Sequence, residues 1–340
     1  MIPIYTKRIE YSGTMVERIP SSPPRIDSVP QKLNRPKWSV MIPVYNCASY
    51  FPSAIKSVLE QDLGPELMQI EVLDDASTDI DVESLVLELG NGRVTYYRQH
   101  ENVGSLRNFE SCINRSTGEL IHILHGDDKV KKGFYKKMNE LFDLYPEAGA
   151  AFCNHTFIDQ DGEILDYSNF TEKEEGILKN SLLKIAVERP SQYVSTVVKR
   201  TVYEDLGGFY GVTYGEDWEM WVRIARKYQM IYTPKILAEY RRHEDSISWS
   251  SDGNQQNTRD LVKTISRIES ILPDEYQKKF IKTKFEGALY CIAQANVSLK
   301  DYRNLNLSKE QVSLALSLNR SFQVYYHLIK LYFRIIFKTY

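Results

Sequence analysis

The chain has 340 residues, of which 42% are hydrophobic and 26% are charged, so it can bury a core and is not disordered as a whole. Its formal net charge of -2 leaves no overall basic footprint for nucleic acid. The four cysteines are far apart and form no CxxC pair, which argues against a disulfide framework or a zinc site and fits a reducing compartment. The N-terminus lacks the apolar core of a signal peptide, and no run reaches the roughly 18 apolar residues of a membrane span, so we expect a cytoplasmic protein.

The beginning of the chain differs in composition from the rest. Residues 1–36 carry six of the thirteen prolines and show little periodicity, which predicts an irregular extension. The length of the whole chain is typical of two domains. We place the first domain over residues 37–250 and an α-helical C-terminal region over residues 251–340.

Strands and helices alternate along the first part of the body. The predicted strands span residues 39–44, 68–73, 94–98 and 120–124, and the predicted helices span 50–61, 82–89 and 106–114. This alternation predicts a parallel sheet with right-handed crossovers. In such a sheet, ligands bind beyond the carboxyl ends of the strands.

Three polar stretches directly follow predicted strands. They are Tyr45-Asn46, residues 74–79 and Asp127-Asp128. Alone, the last pair fits a solvated turn as well as a metal site, because adjacent carboxylates beside a buried strand repel each other and attract a cation. The convergence of the three stretches favours a site. Neither G-x-G-x-x-G nor G-x-x-x-x-G-K-[ST] occurs, so we expect a bound phosphate to be held by a metal and not by a glycine-rich loop.

The second half of the body continues with both kinds of element. We predict helices at 134–144 and 176–187, strands at 150–155, 193–198, 231–233 and 236–241, a hairpin at 158–164, a Gly-rich loop at 206–211 and a helix that begins at Glu216. From about residue 254 the pattern is helical throughout.

Residues 321–340 form a strongly apolar predicted helix that has no acidic residue. Its basic residues are Lys330, Arg334 and Lys338. This composition is typical of a packing helix or of a helix that joins two copies in a homodimer. The alternative is a basic helix that lies on an anionic membrane face, which would give a peripheral contact with the inner face of the cell membrane.

Six motifs, taken in order, resemble those of the inverting family-2 glycosyltransferases of GT-A fold, of the bacterial surface-glycan type. They are VMIPVYN at 40–46, VLDDASTD at 72–79, NVGSLRN at 102–108, GELIHILHGDD at 118–128, GED at 215–217 and YRRH at 240–243. The resemblance covers residues 38–248, and the order of the motifs is more specific than any single one. It implies a Rossmann-like α/β fold, with a mixed but mainly parallel sheet flanked by helices and an α-helical C-terminal region.

The resemblance also implies a site for a nucleotide-sugar donor. Its residues would be Pro43, Tyr45, Asn46, Asp75, Arg107 and Asp127. Tyr45 would stack on the base, and the carboxylate of Asp75, which only accepts hydrogen bonds, would take the imide N–H of a uracil. The alternatives are an ordinary strand-end aromatic residue for Tyr45 and a helix-surface charge for Arg107.

A Mn²⁺ or Mg²⁺ ion is implied on Asp127, Asp128 and His243, in keeping with the preference of such hard cations for oxygen ligands. We favour Asp128 as the main ligand and Asp127 as the residue that contacts the ribose. Many family members have Asp where this chain has His125, which we interpret as a ligand, a neighbour of a ligand or a core histidine. His243 could also be a solvated loop histidine.

The resemblance assigns the general base to Asp217, which would take the proton of the acceptor hydroxyl while the nucleoside diphosphate leaves. Trp218 would contact the acceptor, and Glu216 would either orient the acceptor or raise the pKa of Asp217 as a like charge. The alternatives are acids that merely favour the start of a helix and a tryptophan that belongs to the core.

Taken together, these residues predict a metal-dependent inverting glycosyltransferase. It would move a sugar from a nucleoside-diphosphate donor, expected to be UDP-linked, to a hydroxyl of a glycan or lipid-linked acceptor. We find neither the Gln-x-x-Arg-Trp element nor the membrane spans of processive relatives, which predicts single additions. Two alternatives are a non-catalytic nucleotide- or glycan-binding module of the same fold and a sugar nucleotidyltransferase, which would carry a Gly-rich basic loop after the first strand.

Overall fold

The computed structural model describes residues 17–30, 35–244, 246, 255–300 and 303–337. Much of the predicted extension over residues 1–36 and the last three residues of the predicted helix 321–340 lie outside this part of the chain. Residues 17–30 contain no helix or strand and pack against the body of the protein.

The first half of the body alternates strands and helices, as the sequence predicts. Its elements are β1 (Trp38–Val44), α1 (Phe51–Leu59), β2 (Met68–Asp74), α2 (Val82–Gly90), β3 (Thr95–Arg98), α3 (Ser105–Arg115) and β4 (Leu120–Ile123). Every residue of β1 and β4 is buried, which is typical of parallel strands covered by helices on both faces.

The second half mixes short strands with longer helices. Its elements are β5 (Lys129–Val130), α4 (Phe134–Leu144), β6 (Ala150–Ile158), β7 (Ile164–Tyr167), β8 (Gly176–Ile177), α5 (Ser181–Glu188), β9 (Thr196–Lys199), α6 (Arg200–Leu206), α7 (Glu216–Lys227) and β10 (Met230–Arg241). The predicted hairpin is present as the antiparallel pair of β6 and β7.

Two predictions in this half are wrong in detail. The predicted helix 176–187 begins only at Ser181, because β8 pairs with β10 and the chain must then turn before a helix can start. The predicted strands 231–233 and 236–241 are one strand, whose register shifts around Pro234. Proline lacks the N–H that a ladder needs, so a bulge at this position is expected. The short helix α6 was not predicted.

The strands form one sheet in the order β3-β2-β1-β4-β9-β6-β10-β5, with β7 added beside β6 and β8 beside β10. The pairs among β1, β2, β3 and β4 are parallel, as is the long pair of β6 and β10, whereas β9 lies antiparallel between β4 and β6. The predicted mixed, mainly parallel sheet is therefore confirmed. Because β1 lies between β2 and β4, the loops after these three strands open at the same edge of the sheet.

Helices cover both faces of the sheet. On one face, α1, α2 and α4 bury residues such as Phe51, Val86 and Met138. On the other face, α3, α5, α6 and α7 form a second cluster that also includes the C-terminal helices. These layers hold the sheet edge in place and leave its carboxyl-end loops free to form a site.

The C-terminal region is helical, as predicted, with α8 (Gln255–Ile271), α9 (Asp274–Lys300), α10 (Leu305–Leu318) and α11 (Phe322–Phe337). Phe280 of α9 is fully buried, and its ring lies 6.4 Å from the ring of Trp218 in α7. The region therefore packs directly behind the helix that carries Asp217. Within the described ranges, no helix combines the length and the apolar character that a membrane crossing requires.

Candidate active site

The loop between β4 and β5 is pressed against the end of β1. Gly126 N–H donates to the carbonyl of Pro43 at 3.1 Å, and Asp128 N–H closes a turn onto the carbonyl of His125 at 3.1 Å. A Cβ atom on Gly126 would lie 2.7 Å from Cys47 Sγ, which is closer than packed atoms approach each other. A glycine at this position therefore lets the loop bring its acidic residues to the end of the sheet.

Three potential metal ligands meet in this loop. One side-chain atom from each of His125, Asp127 and Asp128 lies within 4.8 Å of the others. Asp128 is 1% exposed, and its Oδ1 accepts the N–H of Arg241 at 2.8 Å. Among the described residues, neither Asp128 Oδ2 nor His125 Nε2 has a hydrogen-bond partner. His243 Nε2 lies outside the cluster and hydrogen-bonds to Asp127 Oδ2 at 3.0 Å.

The pKa values of the two neighbouring aspartates shift in opposite directions. Burial, followed by the negative charge of Asp127, raises the pKa of Asp128 well above its usual range. Burial also opposes the ionisation of Asp127, but the hydrogen bond from His243 and the nearby imidazoles outweigh it and lower the pKa of Asp127. Burial lowers the pKa of His125, which favours the neutral imidazole that binds metals.

These residues fit a divalent cation. The buried Oδ2 of Asp128 and Nε2 of His125 need a partner, and a cation would supply one to both. Carboxylate oxygen suits Mg²⁺ and Mn²⁺, and an imidazole nitrogen shifts the preference toward a transition metal such as Mn²⁺. The sequence hypothesis has His243 as the nitrogen ligand, whereas in the structure His125 belongs to the cluster and His243 supports Asp127.

A cavity of about 500 Å³, here called the strand-end cavity, opens beyond β1 and β2. Five of the six residues predicted to bind a donor line it: Pro43, Tyr45, Asn46, Asp75 and Asp127. His243 lines it as well, and Tyr45 is 50% exposed, so its ring is open to a planar ligand. The position of this cavity matches the crevice where ligands bind in parallel α/β sheets.

Arg107 is the predicted donor residue that does not line the strand-end cavity. Its Nε donates to the carbonyl of Glu17 at 2.8 Å, and its Nη1 donates to Glu110 at 2.6 Å. In this structure the guanidinium therefore holds the N-terminal segment to α3.

Asp75 is buried and holds the turn before α3. Its Oδ1 accepts the N–H of Val103 at 2.8 Å, and its Oδ2 accepts the N–H of Gly104 at 2.9 Å and the Nδ2–H of Asn102 at 3.0 Å. A carboxylate offers about four acceptor positions, so one remains for a ligand. Burial raises the pKa of Asp75 to about 6 in spite of these donors.

A second cavity of about 430 Å³, the α7 cavity, opens at the first turn of α7. Glu216, Asp217, Trp218 and Trp221 line it. The two cavities share Phe109, His125, Asp127, Thr213 and Ser246. His125, Asp127 and Asp128 are here called the metal-type cluster, and two of them, His125 and Asp127, line both cavities. Molecules in the two cavities would therefore approach each other beside this cluster.

The two acids at the start of α7 differ in their environment. Burial raises the pKa of Asp217 to about 6, although its Oδ1 accepts the N–H of Trp218 at 2.7 Å and Arg189 lies nearby. Burial and the charge of Asp217 raise the pKa of Glu216 well above its usual range, and Tyr193 donates to Glu216 at 3.3 Å. Burial and the neighbouring charge therefore favour the protonated form of Glu216, whereas near neutral pH Asp217 is a carboxylate.

Trp218 has features of both an acceptor-binding residue and a core residue, the two interpretations that the sequence left open. It is 5% exposed, and its indole N–H donates to the carbonyl of Ile185 at 3.1 Å, as expected for a core residue. It nevertheless lines the α7 cavity, and the guanidinium of Arg189 lies 4.6 Å from the centre of its ring.

The sequence analysis missed several residues of these cavities, among them Phe109, Arg189, Tyr193 and Thr213. Tyr193 lies in a short 3₁₀ turn at the start of the predicted strand 193–198. Thr213 is placed by α8, because Asp260 accepts its backbone N–H at 2.9 Å. Such contacts join distant parts of the chain and leave no local pattern in the sequence.

Comparison with known proteins identifies the family and the fold of the chain. Residues 39–205 match the family described as Glycosyl transferase family 2. An uncharacterised glycosyltransferase of Rickettsia conorii is 26% identical over 311 residues, which are 91% of this chain and 46% of that protein. The chain thus spans about half the length of that relative. The GalNAc(5)-diNAcBac-PP-undecaprenol beta-1,3-glucosyltransferase of Campylobacter jejuni is 25% identical over 265 residues, covering 75% of this chain and 82% of that protein.

Solved structures show the same fold. S. aureus TarS 1–349 in complex with UDP-GlcNAc superposes with a TM-score of 0.55 at 14% identity, covering 82% of this chain and 90% of that one. The mannosyltransferase PcManGT of Pyrobaculum calidifontis, in complex with GDP-Man and Mn²⁺, gives a TM-score of 0.50 at 17% identity and covers 88% of this chain and 89% of that one. With its GT-A fold and the match over residues 39–205, the chain belongs to glycosyltransferase family 2.

Proposed function

We propose that this protein is a metal-dependent inverting glycosyltransferase that moves one sugar from a nucleoside-diphosphate donor to a hydroxyl of an acceptor. The observation that carries the proposal is the meeting of the two cavities at His125 and Asp127. A donor in the strand-end cavity and an acceptor in the α7 cavity would face each other there. In a single displacement, the acceptor hydroxyl attacks the anomeric carbon of the donor sugar from the side opposite the leaving nucleoside diphosphate. The configuration of that carbon is therefore inverted.

The strand-end cavity fits a uridine nucleotide. Tyr45 offers an exposed ring for stacking on the base, and the free acceptor position of Asp75 suits the imide N–H of uracil. Asp127 belongs both to the lining of this cavity and to the metal-type cluster, so it would contact the ribose or the ion. The UDP-GlcNAc complex of TarS supports the choice of uridine, although PcManGT binds a guanosine donor.

Asp127 and Asp128 would hold Mn²⁺ or Mg²⁺, with His125 as a nitrogen ligand and His243 supporting Asp127. When bound, such an ion supplies positive charge beside the departing diphosphate. PcManGT binds Mn²⁺ on the same fold. Arg241 keeps the two aspartates in place, since it donates to Asp128 Oδ1 and to the carbonyl of Asp127.

Asp217 would act as the general base. Its pKa of about 6 keeps it ionised near neutral pH and still basic enough to accept the proton of an acceptor hydroxyl. Burial and the charge of Asp217 favour the protonated form of Glu216, and a protonated carboxyl at this position can donate a hydrogen bond to the acceptor. Environments that separate the pKa values of two neighbouring acids are typical of acid-base catalysis.

The acceptor is proposed to be a glycan, carried on a lipid, in cell-envelope synthesis. A third cavity of about 360 Å³ shares Phe157, Arg189, Pro190 and Gln192 with the α7 cavity, so the two adjoining cavities offer room for more than one sugar. The Campylobacter relative is named for a polyprenol-linked glycan acceptor.

The exposed side of α11 supports a contact with a membrane that carries such an acceptor. Val324 and Leu331 are buried, whereas Phe322 is 83% exposed and Tyr332 60% exposed. Helix α11 has no acidic residue and carries Lys330, so its aromatic side chains and positive charge suit an anionic membrane face. We therefore propose a peripheral location at the inner face of the cell membrane.

Two alternatives, a binding module and a sugar nucleotidyltransferase, make different demands on the residues. A binding module needs no base, yet Asp217 and Glu216 lie at the wall that faces the metal-type cluster. A nucleotidyltransferase needs a Gly-rich basic loop after the first strand, and here Tyr45-Asn46 follows β1. Both features favour the transferase.

Replacing Asp128 by Asn should weaken UDP binding in the presence of Mn²⁺ by at least about tenfold, because the amide cannot supply the anionic ligand. Calorimetric titration with and without Mn²⁺ measures this effect. Asp166→Asn, at an exposed position in β7, is the matched control and should bind as the wild type does. Equal binding by all three proteins would contradict the metal site.

Replacing Asp217 by Asn should lower the turnover number by about a thousandfold or more and leave UDP binding within about threefold, because only proton removal is lost. The control is Glu216→Gln, which keeps a hydrogen-bonding side chain beside the proposed base and should retain most activity. Sugar transfer and UDP affinity are measured on the same preparations. Unchanged turnover in Asp217→Asn would contradict the role of Asp217 as the base.

Turnover at saturating donor and acceptor should rise with pH through about 6 and then level off, because Asp217 must lose its proton to act as a base. Saturating donor removes the separate effect of Asp75 on donor binding. The Glu216→Gln variant should keep this profile. A profile that falls as the pH rises through 6 would assign the essential group to an acid instead.

Replacing Tyr332 by Glu should abolish sedimentation of the protein with vesicles of anionic lipid, because a charge on the aromatic side of α11 opposes insertion at the interface. Leu87→Glu is a matched control, since Leu87 on α2 is 66% exposed and lies in a different region. Wild-type protein should not sediment with neutral vesicles. Failure of the wild type to bind anionic vesicles would contradict the membrane contact.

A further inference from the structure

Residues 17–30, here called the N-terminal strap, precede the part of the chain that matches the family. Two main-chain hydrogen bonds fix the strap to the Gly-rich loop before α7. Gly211 N–H donates to the carbonyl of Pro20 at 2.8 Å, and Gly208 N–H donates to the carbonyl of Pro24 at 2.8 Å. The strap is thus an ordered part of the molecule.

Further contacts extend this attachment along the strap. Ile26 is 2% exposed and belongs to the core, and the buried Arg200 donates to the carbonyl of Asp27 at 2.7 Å. Gly207 has a φ of +77°, and a Cβ there would lie 2.8 Å from Pro23 Cβ. Any larger residue at position 207 would therefore clash with the strap, and glycine lets the loop and the strap pack together.

The beginning of the strap forms a wall of the strand-end cavity. Arg18 and Ile19 line it together with Asp75 and Asn102. The guanidinium of Arg18 donates two hydrogen bonds to Asn102, one to the backbone carbonyl and one to the side-chain Oδ1. A planar guanidinium that donates hydrogen bonds to two acceptors of one residue fixes the orientation of that residue.

Asn102 connects Arg18 to Asp75 through hydrogen bonds of its side chain. With its Oδ1 facing Arg18, Asn102 turns its Nδ2–H toward Asp75, where it donates to Oδ2 at 3.0 Å and to the backbone carbonyl at 3.2 Å. The next two residues, Val103 and Gly104, donate their N–H groups to the same carboxylate. Arg18 therefore fixes Asn102, the first residue of the turn that surrounds Asp75.

The charge of Arg18 also acts on Asp75. Burial raises the pKa of Asp75, whereas the turn N–H groups and then Arg18 lower it, and Asp74 raises it. Cys112 on α3 faces the same region, but burial raises its pKa well above the usual range, so the thiol stays neutral. Among the charged groups that act on Asp75, Arg18 thus favours the ionised form.

We propose that Arg18 is a positioning residue for the donor base: through Asn102 it orients Asp75 so that the carboxylate accepts the imide N–H of the nucleobase. This inference rests on the proposed donor site and adds a segment outside the family match to it. It also gives the strap a role in choosing the base. A carboxylate accepts from the imide N–H of uracil, whereas the ring nitrogen of cytosine at that position carries no hydrogen, so UDP should bind better than CDP.

The test compares Arg18→Ala with Arg25→Ala. Arg25 lies on the same strap, its side chain is 90% exposed, and it is 3.7 Å from Asp27, so it is a matched control. Calorimetric titration of the full chain with UDP and with CDP, in Mn²⁺, should show about tenfold weaker UDP binding for Arg18→Ala and a smaller preference for UDP over CDP. Arg25→Ala should match the wild type, and thermal unfolding checks that both variants are folded.

The pH dependence of UDP affinity gives a second readout, which a purely structural role would not move. Asp75 binds the imide as a carboxylate, so affinity should fall as the pH drops through about 6. Loss of the Arg18 cation raises the pKa of Asp75 further, so the midpoint should move to higher pH in Arg18→Ala and stay in place in Arg25→Ala. Arg18→Lys keeps the positive charge, so the midpoint of the pH dependence of UDP affinity should stay near that of the wild type. It loses the pair of hydrogen bonds to Asn102, so its UDP affinity should fall.

Equal UDP affinity and equal pH midpoints for Arg18→Ala and Arg25→Ala would overturn the positioning role and leave the donor site itself intact. If Arg18→Ala fails to fold, Arg18→Lys decides: wild-type UDP affinity and wild-type preference over CDP would overturn the proposal. Absence of UDP binding by the wild type would instead overturn the uridine assignment, and the role of Arg18 with it.

Discussion

Two adjacent carboxylates at the end of the buried strand β4 set the main constraint on this protein. Burying an uncompensated charge costs several kcal/mol, and the like charge of a neighbour adds to that cost. The chain offsets part of it through the N–H of Arg241 on Asp128 and through His243 on Asp127. It leaves one buried oxygen of Asp128 without a partner among the described residues, beside the open nitrogen of His125. We propose that a cation completes this arrangement at the point where the two cavities meet.

The sheet explains why the two cavities meet at this point. The loops after β1, β2 and β4 open at one edge, and they supply a wall of the strand-end cavity and the metal-type cluster. Helix α7 enters from the other side with Asp217 in its first turn, and the C-terminal helices hold it through contacts such as that of Phe280 with Trp218. Burial raises the pKa values of both Glu216 and Asp217, which lie within a single turn of this helix, and we propose Asp217 as the base.

Local patterns in the sequence were enough to predict the alternating strands and helices, the parallel sheet and the edge at which polar residues gather. Apolar runs followed by polar residues carry that information, because strand ends in a parallel sheet point the same way. Contacts between distant segments could not be predicted. Thr213 depends on Asp260 in α8, Arg107 turns to the N-terminal strap, and Asp75 is shaped by a turn that Arg18 holds. The choice between His125 and His243 as the cluster histidine also required the structure.

The most direct test of this account is a crystal structure with UDP and Mn²⁺, in which the anomalous signal of manganese locates the ion. The account predicts a manganese peak beside Asp128 Oδ2, a diphosphate at the junction of the two cavities, and the uracil between Tyr45 and Asp75. A manganese peak away from the 125–128 loop, or UDP bound outside the strand-end cavity, would contradict it.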